Sequence, residues 1–227
     1  MLNFISHPGV LIKICSFNTQ NYKVAFFNEI GIPFPFELKN SVKNRQAEFL
    51  AGRYLANKLL IKSGSSTGMV GIGHNREPNW PKGFLGSISH TKNHAICAVA
   101  RQGSLRYLGV DIETPINGRI ADEIKDHILC NEELSIARNN GILLEEFILM
   151  VFSAKESLFK AIYPEINKPL NFNFAKVTRF DPDNNLITLT LSARFSPSLP
   201  KNRCFNCFVG KYNNLTVTSI AEQEFAA

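Results

Sequence analysis

The sequence predicts an α+β fold in which each half of the chain contributes one long helix followed by strands. Apolar residues recur at helical spacing over residues 41–62 and again over residues 143–163. Short stretches of alternating apolar and polar residues follow both helices, and turn residues separate them. This shared order of elements hints at a distant duplication.

The expected elements of the first half surround its long helix with strands. They are strands at 11–17 and 23–27, a helix at 41–62 with Ser41 as its N-cap, a Gly/Ser loop at 63–73, a turn-rich stretch at 75–86, and strands at 95–100 and 107–112 joined by a turn at Gly103. The loop is not a P-loop, because no G-K-[ST] follows it. It is not a dinucleotide fingerprint either, because Arg76 stands where a third Gly is needed.

The second half is expected to begin with helices and to end with strands. The predicted helices cover 120–129, 132–138 behind an Asn131 cap, and 143–163, where Pro164 should end the helix. The predicted strands cover 177–180, 186–191, 204–209 and 215–220. Cys204 and Cys207 share one strand at a spacing that places them on opposite faces, so we expect packing residues rather than zinc ligands.

The composition is that of a folded protein. The 227 residues are 44% hydrophobic and 19% charged, which excludes disorder of the chain as a whole. No apolar run approaches the roughly 20 residues of a membrane helix, and the first ten residues lack the basic region of a signal peptide. Five scattered Cys without an export signal favour free thiols and a cytoplasmic location.

The net charge of +6 fits a polyanionic partner, such as nucleic acid, a phosphorylated small molecule or an acidic protein. The basic residues are spread out, however, with no block of five or more like charges. Nucleic-acid binding favours clustered basic residues with exposed aromatic residues between them, and the sequence has no such cluster. Charge alone is also compatible with an ordinary soluble surface.

Asp111 and Glu113 form the first candidate site. Alternate side chains share one face of a strand, so the two carboxylates of Gly109–Glu113 point the same way, with Cα atoms roughly 7 Å apart. Such a pair repels itself unless a cation lies between the two groups, and oxygen ligands favour Mg²⁺ over zinc. A solvated strand end is the alternative.

Glu156 and Lys160 lie four residues apart on the second long helix and share a face. A surface ion pair is the commonest use of this spacing. Ser153 and Glu156 also match a capping box, which would make Glu156 structural. Because the apolar periodicity continues on both sides of Ser153, one continuous helix is favoured over a new helix start.

His and Arg side chains form two further candidate sites. Ser89 and His90 suggest a hydrolase pair, but no nucleophile elbow is present, so His90 is better interpreted as a donor to an anion. Arg45 and Arg53 lie within about 80° of each other around the first long helix and roughly 12 Å apart along it, which suits a phosphate. A structural His and a basic solvent-facing surface are the alternatives.

Together and in this order, these residues resemble the 4′-phosphopantetheinyl transferase superfamily, in its two-lobed branch that activates carrier proteins, and most closely the enterobactin synthetase component D type. The segments that carry the resemblance are 45–53, 76–81, 86–90, 109–113 and 152–163. They span residues 45 to 164 in the order of the family. Residues 1–36 and 171–227 carry no such motif.

The resemblance implies two similar, pseudo-symmetric lobes, residues 1–104 and 105–227, each an antiparallel sheet packed with a long helix. The active site would lie between them. The reaction would move the 4′-phosphopantetheine arm of coenzyme A onto a serine of an apo carrier protein and release 3′,5′-ADP. Carrier proteins are typically acidic, which agrees with the net charge of +6.

The resemblance also implies roles for the candidate residues. Asp111, Glu113 and Glu156 would hold Mg²⁺, and Glu156 would be the candidate base, with a metal-bound water as the alternative. The remaining residues would bind coenzyme A: Lys160 and Lys155 at the transferring phosphate, His90 and Ser89 at a phosphate, Arg45 and Arg53 at the 3′-phosphate of the nucleotide, and Arg76 in a loop that touches the ligand.

Siderophore or other nonribosomal peptide biosynthesis is the expected setting. General activation of fatty-acid acyl carrier proteins is one alternative. A non-catalytic binder of coenzyme A or carrier proteins is another, but it would have lost carboxylates or Lys160, and neither is lost here. We expect a cytoplasmic monomer that binds neither nucleic acid nor a membrane.

Overall fold

The computed structural model describes residues 7–103 and 105–223. Residues 1–6, on which the expectation of no signal peptide partly rests, lie outside the described residues. Residue 104, where the first lobe was expected to end, also lies outside them. The chain divides into two compact units. The first ends at Arg106, and Tyr107–Glu222 forms the second.

Both units combine antiparallel strands with one long helix, which confirms the predicted α+β class. The elements, in chain order, are β1 (Val10–Ser16), α1 (Ala25–Glu29), α2 (Lys43–Lys62), β2 (Gly71–Ile72), β3 (Pro78–Asn79), β4 (Phe84–His90), β5 (His94–Arg101), β6 (Tyr107–Glu113), α3 (Gly118–Ile128), α4 (Asn131–Asn139), α5 (Leu144–Ile166), β7 (Ala175–Asp181), β8 (Leu186–Leu191), β9 (Cys204–Tyr212) and β10 (Leu215–Glu222). None of the described helices is long and apolar enough to cross a membrane.

In the first unit, α2 packs on a three-stranded antiparallel sheet with the order β1-β5-β4. Leu55 and Leu60 of α2 are fully buried, as are Cys97 and Val99 of the central strand β5. The hairpin β2–β3 follows the loop after α2. The apolar face of α2 therefore fixes the helix that carries Arg45 and Arg53 against the sheet that carries His90.

In the second unit, α5 packs across a five-stranded antiparallel sheet with the order β6-β10-β9-β8-β7. The helix is apolar over most of its surface, and Phe147, Val151, Leu158 and Ile162 are fully buried. Cys204 is exposed and Cys207 is buried, which confirms that they lie on opposite faces of one strand. All five cysteines are free thiols.

Four local predictions are wrong. Residues 23–27 do not form a strand but lead into α1, whose Phe27 is buried; a short apolar run suits either element. Ser41 does not cap α2, because Val42 occupies the N-cap position. Cys130, not Asn131, precedes α4 as its N-cap. Helix α5 does not stop at Pro164 but ends at Ile166, where the Asn167 N–H donates to the Tyr163 carbonyl at 2.8 Å and closes the last turn.

The strand pairing also differs from the prediction. β5 and β6 are not joined as a hairpin: β5 pairs with β1 and β4, whereas β6 pairs with β10. Residues 84–90, expected to be partly a turn, form β4 instead. Gly86 fits a strand here because the ring of Trp80 occupies the space that a side chain at this position would need.

Candidate active site

Strand β6 approaches α5 closely because Gly109 has no side chain. A Cβ added there would collide with the carbonyl oxygen of Ser157 on the helix. Two residues further along β6, Asp111 is buried against the same helix. Its Oδ2 accepts a hydrogen bond from Ser153 Oγ at 2.8 Å, and its Oδ1 lies 2.6 Å from Lys160 Nζ. The Gly in the Gly109–Glu113 motif therefore brings the carboxylate to the helix.

Glu113 and Glu156 are half-buried and act electrostatically on the same group of charges. Burial raises the pKa of Glu113 to about 8, with Asp111 and Glu156 adding to the rise and Lys160 opposing it. Burial also raises the pKa of Glu156, which Lys160 opposes and Asp111 reinforces. Three carboxylates thus share the charge of Lys160 at a site that disfavours negative charge.

Within the ranges that the structure describes, no three His, Cys, Asp or Glu side chains are grouped closely enough to hold a metal ion. Lys160 is the cation in contact with Asp111. The chemistry of the donor set nevertheless fits Mg²⁺, because all three acids offer oxygen ligands and their negative charge exceeds that of one ammonium group. Asp111, Glu113 and Glu156 are the side chains that could hold it.

Both structural alternatives for Glu156 are wrong. Helix α5 runs without interruption from Leu144 to Ile166, so Ser153 and Glu156 do not form a capping box. Ser153 Oγ instead donates to Asp111 and also lies 2.9 Å from Thr218 Oγ1. Lys160 pairs with Asp111 on the neighbouring strand. Glu156 and Lys160 therefore belong to a site shared with β6 rather than to a solvated surface pair.

The predicted contact of Lys155 with a phosphate is wrong. Its side chain is only 1% exposed and forms an ion pair with Glu133, also 1% exposed, with Nζ 2.9 Å from Oε1. Lys155 Nζ also donates to the Ile128 carbonyl at 2.7 Å. Burial lowers the pKa of Lys155, and Glu133 opposes this effect. Two neighbours in the sequence, Lys155 and Glu156, thus face different environments.

In the first unit, Arg45 and His90 lie together at the end of β4. Arg45 Nη1 and His90 Nε2 are 2.7 Å apart. The carboxylate of Glu48 is 3.8 Å from Arg45 Nη1 and 3.6 Å from His90 Nδ1. The helix positions Arg45 and Glu48 one turn apart, and the strand end delivers His90 to them. Two of the predicted coenzyme A ligands are therefore neighbours.

Arg53 is on the same helix but is only 8% exposed. Its guanidinium stacks on Phe49, with Cζ 4.6 Å from the ring centroid, and its Nη2 donates to the Gly71 carbonyl at 3.1 Å. Burial lowers the pKa of Arg53 to about 10. Among the described residues its buried Nε has no hydrogen-bond partner. Arg53 lines a cavity of about 290 Å³ beside residues 68–72, so an anion could reach it there.

Ser89 and Arg76 occupy different settings. Ser89 is buried in β4, directly across from Ile96 of β5. Arg76 is exposed in the turn between β2 and β3, and its backbone has a left-handed φ of 66°. The turn is closed by Arg76 N–H donating to the Gly73 carbonyl at 3.0 Å. An exposed side chain in a left-handed turn position is compatible with ligand contact.

Several residues that shape these sites were not predicted from the sequence. Glu48 lies three residues after Arg45, and this spacing could have indicated a shared helix face. Glu133 and Thr218 gave no such signal, because their partners are 22 and 65 residues away. Only the tertiary fold brings them to α5.

Comparison with known proteins places both units in one family. A model for the 4′-phosphopantetheinyl transferase N-terminal domain matches residues 34–100, and one for the 4′-phosphopantetheinyl transferase superfamily matches residues 107–208. Enterobactin synthase component D of Salmonella typhimurium is 35% identical over 170 residues, which cover 75% of this chain and 69% of the relative. The chain belongs to the 4′-phosphopantetheinyl transferase superfamily.

Two relatives outside the enterobactin group also match this phosphopantetheinyl transferase. The 4′-phosphopantetheinyl transferase Svp of Streptomyces mobaraensis is 31% identical over 170 residues, covering 71% of this chain and 67% of the relative. The 4′-phosphopantetheinyl transferase Npt of Nocardia iowensis is 27% identical over 141 residues, covering 62% of each. The family resemblance drawn from the motifs is confirmed, and with it transfer of 4′-phosphopantetheine from coenzyme A to a carrier protein.

Proposed function

We propose that this transferase loads carrier proteins of siderophore or other nonribosomal peptide biosynthesis, and that it requires Mg²⁺. The relatives named enterobactin synthase component D support the siderophore setting. General loading of fatty-acid acyl carrier proteins is the second candidate, since Svp and Npt carry only the general name of the activity. The five free cysteines are consistent with work in a reducing compartment.

The observation that carries the proposal is the cluster of Asp111, Glu113, Glu156 and Lys160. Phosphoryl transfer depends chiefly on positioning and on neutralising charge. Asp111 and Glu156 come from different elements, yet Lys160 interacts with both. Asp111, Glu113 and Glu156 would hold the Mg²⁺, which would neutralise charge on the pyrophosphate of coenzyme A when bound.

The residues of the chain would assist the transfer at two points. The serine oxygen of the carrier forms a bond to phosphorus, the bond from phosphorus to the oxygen of 3′,5′-ADP breaks, and the serine proton must leave. Glu156 is the proposed base because it lies in the same cluster of charges as Asp111 and Lys160, and a metal-bound water is the alternative. Lys160 would stabilise the negative charge on the transferring phosphate.

The first unit would bind the rest of coenzyme A. We assign the 3′-phosphate to Arg45 and Arg53 and another phosphate to His90, with Ser89 and Arg76 as further contacts. Two observations support this assignment. Arg45 Nη1 and His90 Nε2 are 2.7 Å apart, so one anion could contact both side chains. Arg53 lines a cavity that an anion could enter. The Arg45 guanidinium can only donate, so His90 Nε2 is the acceptor of their contact.

The test is mass spectrometry of apo carrier proteins mixed with coenzyme A and this protein. We expect a peptidyl or aryl carrier from a nonribosomal system to gain the phosphopantetheine mass on its serine faster than a fatty-acid carrier does. EDTA should abolish the gain, and excess Mg²⁺ should restore it. Full activity in EDTA would overturn the metal assignment, and faster loading of the fatty-acid carrier would overturn the proposed pathway.

A further inference from the structure

Lys155 and Glu133 form a buried, fully hydrogen-bonded pair at the junction of several elements of the second unit. Besides Lys155, the Glu133 carboxylate accepts hydrogen bonds from the N–H groups of Val177 and Cys130, both at 2.8 Å. Lys155 donates to the Ile128 carbonyl as well. One side chain of α5 is thus tied to the end of α3, the start of α4 and strand β7.

The opposite side of α5 is held by a second set of polar contacts. Thr218 of β10 lies 2.9 Å from Ser153 Oγ and 2.7 Å from Ser157 Oγ, and its hydroxyl donates to the Ser153 carbonyl at 2.8 Å. At about 100° per residue, Lys155 points roughly 160° away from both serines. We call the Lys155–Glu133 pair and the contacts of Thr218 with the two serines the two anchors of α5. They hold the helix from opposite sides.

These two anchors set the rotation of α5 about its axis. Glu156 lies about 60° from Ser153 around the helix, and Lys160 about 20°. Both therefore lie on the side that faces β6 and β10, where Lys160 contacts Asp111. A rotation of the helix would move both side chains away from Asp111 together.

We propose that Lys155, through its ion pair with Glu133, is a positioning residue that fixes the orientation of Glu156 and Lys160 at the reaction centre. This inference rests on the proposed roles of those two residues. It assigns to Lys155 no contact with coenzyme A. When a buried ion pair loses one partner, the other charge is left uncompensated. Replacing either Lys155 or Glu133 by itself should therefore disturb α5.

The test compares Lys155→Met, Glu133→Gln and the double variant in three measurements: carrier-loading kinetics, calorimetric binding of coenzyme A, and hydrogen exchange of residues 150–160. Each single change should lower kcat by on the order of 10- to 100-fold, as expected for a misplaced reacting group. The Kd for coenzyme A should change by less than about tenfold, because neither replaced side chain touches it and the proposed contacts of the first unit are unaltered. Exchange in α5 should accelerate in both single variants.

The double variant should load carriers at least as fast as the slower single variant, because both changes remove the same pair. Glu132→Gln is the matched control, since Glu132 is next to Glu133 but 72% exposed and 3.5 Å from Lys176. It should leave all three measurements unchanged. If Lys155→Met does not fold, Glu133→Gln decides the question alone.

Two results would overturn the positioning role. A Kd for coenzyme A raised more than about tenfold by Lys155→Met, with normal behaviour of Glu133→Gln, would mean that Lys155 contacts a phosphate. If the single variants melt at a lower temperature but keep a normal kcat when assayed well below that melting temperature, the pair is only structural. Failure of the wild type to load any carrier would instead contradict the proposed function. Hydrogen exchange of residues 150–160 in the variants would still show whether the Lys155–Glu133 pair holds α5 in place.

Discussion

Glu48 places a negative charge beside two residues that we propose to bind a polyanion. Its carboxylate lies within 4 Å of both Arg45 and His90, and burial raises its pKa while Arg45 opposes the rise. Glu48→Gln should lower the KM for coenzyme A about two- to fivefold, because a partly exposed charge contributes up to about 1 kcal/mol. Initial rates over a range of coenzyme A concentrations measure this.

Glu29→Gln provides the control for Glu48→Gln, because Glu29 is exposed in the same unit. It should leave the KM for coenzyme A unchanged. A raised KM in Glu48→Gln would contradict simple repulsion and would mean that the carboxylate orients His90 for binding.

Arg53 is proposed to recognise the 3′-phosphate although it is nearly buried. Arg53→Ala should raise the KM for coenzyme A by on the order of 10- to 100-fold, the value of one charge-assisted hydrogen bond. The KM for dephospho-coenzyme A, which lacks that phosphate, should change little in the same variant. Because both substrates are compared on one protein, a loss of packing against Phe49 cannot mimic the result. Equal losses for the two substrates would instead leave Arg53 as a support for Gly71.

At the scale of residues, spacing predicted which acidic and basic side chains share a face but not what surrounds each one. The strand period predicted that Asp111 shares a face with Glu113, and the helix period predicted that Glu156 shares a face with Lys160. The burial of Lys155 could not be found in this way, since the residue that holds it, Glu133, is 22 positions distant. Tertiary packing decides which of two neighbouring polar residues on α5 faces the core.

At the scale of elements, Gly109 sets the distance between β6 and α5. Gly109→Ala should lower the free energy of unfolding by about 1–3 kcal/mol, because the added methyl group collides with the backbone of the helix at Ser157. Loading activity should fall as well, since Asp111 lies on the displaced strand. Urea unfolding and carrier-loading rates measure the two effects.

Gly118→Ala is the matched control for Gly109→Ala. A Cβ at Gly118 meets nothing within 4 Å, and this residue begins α3. Stability should stay the same or rise by up to about 1 kcal/mol, because Ala favours a helix. A Gly109→Ala variant as stable as this control would contradict the close approach of β6 to α5.

The long elements were predictable from the sequence and the short ones were not. Residues 41–62 and 143–163 show several turns of apolar periodicity, and α2 and α5 cover nearly the same ranges. Residues 23–27 are too short for their period to distinguish a helix from a strand. Gly86 suggested a turn because glycine is common in turns. Its actual role, leaving room for the ring of Trp80, cannot be seen in the sequence.

At the scale of the whole molecule, the order of helices and strands predicted the α+β class, whereas strand pairing required the structure. β5 and β6 are close in sequence, yet they belong to different units. The turn residues between them therefore suggested a hairpin that does not form. Strand β6 pairs with β10, more than 100 residues later. Sequence patterns describe single elements, and long-range pairing leaves no comparable local signal.

The net charge of +6 also leads to a prediction for the whole molecule. The KM for an acidic carrier protein should rise severalfold as ionic strength increases from about 0.05 to 0.5 M, because salt screens long-range attraction. Loading rates measured at saturating coenzyme A check this, and a carrier with neutralised surface carboxylates should show a weaker dependence. A KM independent of salt would exclude electrostatic steering of the carrier.

The central claim is that the carboxylates gathered by β6 and α5 form the reaction centre, and Glu156→Gln tests it most directly. The measurement is the rate at which an apo carrier gains the phosphopantetheine mass, with Glu145→Gln on the same helix as the control. We predict a loss of at least about 100-fold for Glu156→Gln, or about 2.7 kcal/mol. Its melting temperature should be unchanged or raised, because one of three neighbouring carboxylates is neutralised. Near-normal loading by Glu156→Gln would contradict the claim.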